Sequence, residues 1–237
     1  MKEILFYLLI LGANIIQGIT GFAGTILAMP ASVMLVGFDV AKPILNVLGI
    51  LSGIYVFVGN AKYVNRRELM KIVGVMSVGI LGGIFLKGVI RGERILMLLL
   101  GCLVLILAVE GVITMFYPGK KKKPRNFLLI LAGIVHGLFV CGGPILIGYL
   151  SKKLEDKREF RATISTVWIF LNSLILVGDI VEGVWNLDLL RQQLLSIPFL
   201  FLGMFFGGRL YKIMSRKAFM ILTYILLFIS GISLLVK

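Results

Sequence analysis

Acid groups are scarce in this chain. Its 237 residues include 11 Asp and Glu against 25 Lys and Arg, with 1 His and 2 Cys. So small a supply of carboxylate, imidazole and thiol leaves little from which to build a hydrolytic centre. Cys102 and Cys141 both fall inside apolar stretches and make neither a metal-ligand spacing with His136 nor a disulfide framework. No catalytic residue, metal or cofactor is therefore expected. Charge of any sign is sparse too, at 15% of residues against about 25% in a soluble domain. Hydrophobic residues make up 59%, and the mean hydropathy is +1.04. These values exclude a soluble globular domain and predict an all-α integral membrane protein.

Apolar runs recur over 4–37, 41–58, 70–90, 95–117, 127–151, 162–182, 192–208 and 218–236, most of them near the roughly 20 residues that cross a bilayer as a helix. The first 30 residues lack a basic start and a small-residue cleavage site, so they read as retained structure. The formal charge of +14 would suggest nucleic acid in a soluble protein. Here the basic residues sit in short loops between apolar runs, where they set topology and meet anionic lipid, so no nucleic-acid partner is expected.

Two runs are interrupted in the same way, by Gln17-Gly18-Ile19-Thr20-Gly21-Phe22-Ala23-Gly24-Thr25 and by His136-Gly137-Leu138-Phe139-Val140-Cys141-Gly142-Gly143-Pro144. Displacing the chain on itself by 119 positions superimposes these breaks, pairing Gly18 with Gly137, Gly24 with Gly143 and Lys42 with Arg161. With a slip of about five residues, Gly79 and Gly83 match Gly203 and Gly207, the small-residue spacing that lets membrane helices approach closely. Loop charge then decides the topology. If every run crosses, basic residues divide evenly; if 4–37 and 127–151 each enter and return on one side, 18 of the 25 gather on the same face. The chain is accordingly expected to be two inverted repeats, each a re-entrant helical hairpin followed by three transmembrane helices. The first repeat is 1–117 (hairpin 4–37, helices 41–58, 70–90 and 95–117). A basic cytoplasmic linker, 118–126, precedes the second, 127–237 (hairpin 127–151, helices 162–182, 192–208 and 218–236). Both termini and the acidic loop with Asp179, Glu182 and Asp188 would then be external. The hairpin arms would be too short to cross the roughly 30 Å hydrocarbon layer.

Irregular backbone at membrane depth is tolerated where it lines a cavity, so paired breaks point to a transport site. A second arm starting near Thr25 or Pro144 would turn unpaired amides and the positive end of its dipole toward that site, which suits a small anion. Gly21, Gly24, Gly142 and Gly143 would allow close approach; Gln17, Thr20, Thr25 and His136 would add hydrogen bonds, with Cys141 among them. The competing reading is that the glycines serve tight helix packing. Asn46 on one helix and Ser165, Trp168 and Asn172 on its repeat mate lie on inward stripes. They are candidates to line the cavity, with Trp168 alternatively a packing residue. Lys42 and Arg161 would sit near opposite mouths and attract anions, or else anchor helix ends at the headgroups. Glu110 and His136 are the candidates for proton coupling, which stays open, as does assembly into a homodimer.

The pattern Gly18-Ile19-Thr20-Gly21-Phe22-Ala23-Gly24 with Pro30, and its counterpart His136-Gly137 through Gly142-Gly143-Pro144, resembles the sulfite exporter TauE/SafE family. This is a large group of bacterial and archaeal membrane permeases, and the resemblance covers essentially the whole chain. It implies a multi-pass protein of the cytoplasmic (inner) membrane that moves a small sulfur-containing anion such as sulfite or an organosulfonate. Thr25 departs from the second half, which has Pro144 at the matched position. A passive anion channel and an intramembrane enzyme acting on lipid-linked phosphate are the rival readings. The enzyme lacks the clustered carboxylates or activated nucleophile it would need.

Overall fold

The computed structural model describes residues 2–89, 94, 98, 101, 102, 105, 106, 108, 109, 112, 113 and 126–236. Every regular element among them is helical: α1 (Lys2–Thr20), α2 (Ala23–Val36), α3 (Phe38–Asn60), a 3-10 turn (Ala61–Tyr63), α4 (Arg66–Val89), α5 (Phe127–Phe139), α6 (Gly143–Leu150), α7 (Lys157–Val181), α8 (Leu187–Ile213) and α9 (Arg216–Val236). Glu110 and all of the expected linker except Asn126 lie outside the described residues.

Among the described residues, five helical stretches are long and apolar enough to cross a membrane: Lys2–Thr20, Phe38–Tyr63, Arg66–Leu86, Lys157–Val181 and Leu187–Ile213. Their burial is reversed relative to a soluble protein. Large apolar side chains such as Val58 (78% exposed), Phe85 (74%) and Leu187 (84%) face outward, while Asn14, Gln17, Asn46, His136, Ser165 and Asn172 are buried. That distribution fits a solvent of lipid tails, in which polar groups must find partners inside the protein.

Several helices run past the apolar stretches expected of them, α8 by five residues at each end. α1 has 19 residues, about 28 Å at 1.5 Å per residue, so this hairpin arm is not short of a bilayer's hydrocarbon thickness. α2, α5 and α6, at 14, 13 and 8 residues, are. α7 starts ahead of its apolar run because the Asp156 carboxylate accepts from the amides of Arg158 (2.7 Å) and Glu159 (2.9 Å), an N-cap that carries the helix through charged residues. At its other end α7 runs on to Val181, and Gly183, with φ +70°, makes the turn. Asp179 is therefore a buried helical residue and not part of an external loop.

Packing fixes the direction of each element. α3 and α7 run antiparallel, with Lys42 beside Asp179, Asn46 beside Asn172, and Gly53 against Ser165. α1 runs parallel to α8: Tyr7 stacks on Phe199 at 5.4 Å, Asn14 meets Gly203, and Gly18 meets Gly207. α4 runs parallel to α5, with Gly79 against Gly133 and Ile80 against Gly137. Each hairpin's first arm thus packs on a glycine-bearing helix from the other half of the chain, so both glycine pairs singled out in the sequence are helix-packing positions. A Cβ added to Gly18 would come within 3.0 Å of Gly207 Cα and of the Met204 carbonyl. α1 begins, and α2 ends, at the end of the bundle marked by Asp39 and Asn186. α5 begins and α6 ends at the opposite one, where Asn126 accepts from Lys71 Nζ (2.8 Å) and the Tyr149 hydroxyl donates to Glu68 (3.0 Å). The tips of the two hairpins face each other inside the bundle.

Candidate functional site

The first break is made by Gly21, at φ +85°, a backbone conformation that L side chains rarely adopt. Thr20 holds it together: its hydroxyl donates to the Ile16 carbonyl (2.9 Å) and accepts from the amides of Phe22 (3.3 Å) and Ala23 (3.0 Å). Gln17 reaches across, with Oε1 accepting from the Gly24 amide (2.9 Å) and Nε2 donating to Ser52 of α3 (3.2 Å). The amides of Phe22, Ala23 and Gly24, which the sequence reading left unpaired and open to a ligand, are therefore taken. Side chains at the end of α1 already bond them, because the hairpin is tight enough for arm to cap arm. Gly24 permits this closeness, since a Cβ there would lie 2.7 Å from the Ala13 carbonyl.

The second break is built alike. Val140, matched to Gly21 by the 119-residue displacement, takes φ 56°, which is unusual for a β-branched residue. His136 Nδ1 lies 3.4 Å from the Gly142 amide, and Nε2 lies 2.8 Å from Asn172 Oδ1 on α7. An amide can only donate, so Nδ1 is the acceptor and the imidazole proton sits on Nε2, donating to Asn172. Gly142 is packed against the Ala132 carbonyl, and Pro144 is the second residue of α6, where a missing amide hydrogen costs nothing.

Between the two breaks lies a cavity of about 10 Å³, room for about one water molecule. Its lining comes from both hairpins and from the α3–α7 pair. Gln17, Thr25, His136, Gly143, Trp168 and Asn172 were singled out in the sequence; Phe22, Ile26, Gly49 and Val140 were not. Gly49 was legible as part of the α3 stripe with Asn46. Phe22 and Val140 fell inside the two breaks without being named as lining, and Ile26 carried no signal, because nothing in an apolar residue's type separates cavity lining from core. Trp168 lies at 5.0 Å from the His136 ring, and its indole N–H, buried, has no hydrogen-bond partner among the described residues. Asn46 donates to the Asn172 carbonyl (3.0 Å) and has an unpartnered buried Oδ1.

The remaining candidates stand around this centre. Ser165 donates to the Gly21 carbonyl (3.3 Å), tying α7 to the first tip. Thr20, Gly21, Gly24, Cys141, Gly142 and Pro144 are buried in the two breaks without lining the cavity. Lys42 and Arg161 lie toward opposite ends of the α3–α7 pair. Lys42 is ion-paired with Asp179 at 3.3 Å, both side chains being buried. Arg161, 5% exposed, donates through Nε (3.0 Å) and Nη2 to the Gly18 carbonyl and packs over the Tyr211 ring at 4.4 Å. Among the described residues no carboxylate pairs with it. No group of three or more His, Cys, Asp or Glu among the described residues could hold a metal.

Residues 6–234 match the sulfite exporter TauE/SafE family. Over 107 residues the chain is 28% identical to the probable inner membrane transporter protein TsaS of Comamonas testosteroni, a stretch that covers 44% of this chain and 44% of that protein. The chain thus spans less than half the length of that relative in the match. No solved structure matches the chain.

Proposed function

The chain belongs to the sulfite exporter TauE/SafE family of membrane transporters, and from that premise we propose that it is a permease for a small anion, sulfite or an organosulfonate. The anion crosses the cytoplasmic membrane by alternating access at the site between the two hairpin tips. The observation that carries this reading is the cavity itself: both breaks, Gly49 of α3 and Trp168 and Asn172 of α7, distant in sequence, contribute to one small space. Burying an anion requires donors to replace its water. The unpartnered indole N–H of Trp168 and the hydroxyl of Thr25 are available on the cavity wall, with the N-terminus of α6 beside them. At about 10 Å³ the space does not admit an anion, so this is a closed state, and transport requires the hairpins to part from α3 and α7.

The opposed entry of the hairpins supports an inverted-repeat topology, loop charge argues for both termini being outside, and each side of the membrane has its own moving element. In this reading the Lys42–Asp179 pair closes one end and the Arg161–Gly18 contact the other. His136 serves as a neutral hydrogen-bonding group, and proton coupling is not assigned to it.

The test is uptake of labelled sulfite into proteoliposomes. Acceleration by unlabelled sulfite on the opposite side supports a carrier, whereas conductance without such counterflow would replace it with a channel. Gly143→Ala is the matching site variant. A Cβ there meets only the flexible end of Ile26, at 2.8 Å, and the Trp168 ring beyond it. The protein should therefore fold with its cavity filled, and normal uptake by that variant would refute the site.

A further inference from the structure

The end of the bundle where α3 finishes, α7 begins and α8 finishes holds a second and much larger cavity, of about 810 Å³. Lys62, Lys157, Arg158, Arg161, Arg209 and Lys212 line it, and among the described residues no carboxylate does. Lys157, Arg158 and Arg209 are held by neutral groups. Lys157 Nζ donates to the Met214 carbonyl (2.6 Å) and lies 4.8 Å from the Tyr211 ring; Arg158 donates to the Tyr63 hydroxyl (3.3 Å); Arg209 lies 4.3 Å over Phe205. Rings and carbonyls position a cation without cancelling its charge. The cavity at the opposite end, about 340 Å³, is lined by Asp39 and Asp188 and, among the described residues, by no cation. One mouth of the bundle is therefore strongly positive, and the other is not.

We propose that this basic vestibule is a second anion site, binding a small free oxyanion of the sulfite or sulfate type before it reaches the hairpin tips. Arg161 is its innermost ligand. A lipid headgroup would engage the rim cations Lys62 and Lys212, both exposed. Arg161, at 5% exposure, lies deeper, bonded to the last turn of α1, beyond the reach of a tethered phosphate. Its guanidinium has one carbonyl as hydrogen-bond acceptor and no carboxylate partner among the described residues, so a planar fork of donors remains to be answered by an oxyanion. An anion bound there draws on the guanidinium that also holds the Gly18 carbonyl, which links occupancy of the vestibule to the position of the first hairpin tip. The inference deepens the transport reading by adding a site that can be tested by binding alone.

Sulfate is the probe, titrated at constant ionic strength into purified full-length protein in phosphatidylcholine nanodiscs, with heat or thermal stabilisation as the readout. Saturable sulfate binding should appear in the wild type and weaken by about tenfold or more in Lys157→Gln/Arg158→Gln/Arg209→Gln. It should persist in Gly143→Ala, whose central cavity is filled. Arg161→Lys, which keeps the charge but loses the fork, should fall between. Equal binding in the triple variant, or loss in Gly143→Ala alone, would overturn the vestibule site without touching the central one. Absence of sulfate binding in phosphatidylcholine, with phosphatidylglycerol retained by the wild type and released by the triple variant, would reassign the cations to lipid. Absence of both would also end the proposal. Loss of counterflow in the transport assay, with vestibule binding intact, would instead count against the permease reading.

Discussion

Gln17 and His136, which the sequence displacement superimposes, make the same pair of hydrogen bonds. Each accepts from an amide that opens the following helix, Gly24 for one and Gly142 for the other, and each donates to a neighbouring long helix, through Ser52 on α3 and Asn172 on α7. Two chemically different side chains thus solve one problem, closing a helical hairpin inside a membrane while tying it to the bundle.

This equivalence predicts that His136→Gln keeps sulfite uptake within about tenfold of wild type, whereas His136→Ala, which leaves a buried amide and Asn172 unpaired, costs about 1–3 kcal/mol in stability and most of the uptake. Initial rates at pH 6 and pH 8 check the point. A pH profile unchanged in the Gln variant supports a neutral role, and a profile that collapses would make the imidazole a proton carrier.

The Lys42–Asp179 pair should behave as a buried ion pair. Lys42→Met or Asp179→Leu alone leaves an uncompensated charge and should cost about 3–5 kcal/mol, while the double variant should recover most of that loss. Thermal unfolding of the three proteins in one detergent decides it; additive losses in the double variant would mean that the two residues do not act together.

Val140 carries backbone strain as well as buried apolar surface. Substitution by glycine loses the packing but relieves a conformation that costs of the order of 1–3 kcal/mol, so Val140→Gly should change stability by less than about 1 kcal/mol. The same change at Val167, equally buried but mid-helix, should cost about 3 kcal/mol or more, from the cavity and the helix penalty together. Equal losses at the two positions would argue against the left-handed turn.

Topology is open to single-cysteine labelling in a Cys102→Ser/Cys141→Ser background. Cysteines at Asn65 and Ser215 should react from the cytoplasmic face, and those at Asp39 and Asn186 from outside. Labelling of Asn65 and Asp39 positions from the same face would break the proposed arrangement.

Local chemistry alone established much of this protein. Composition and mean hydropathy made it a membrane protein of helices, because charge is too costly to distribute through a bilayer. Clustered glycines located both helix breaks, and the spacing of Gly79 with Gly83 and of Gly203 with Gly207 marked the faces where helices touch. Those are properties of a few adjacent residues. Partnerships across more than a hundred residues were decided only in three dimensions. That Asp179 neutralises Lys42, that Arg161 reaches the Gly18 carbonyl, and that Phe22, Ile26 and Val140 wall the cavity all depend on which helix lies beside which and how each is rotated. Helix periodicity says which face turns inward. It does not say what that face will meet.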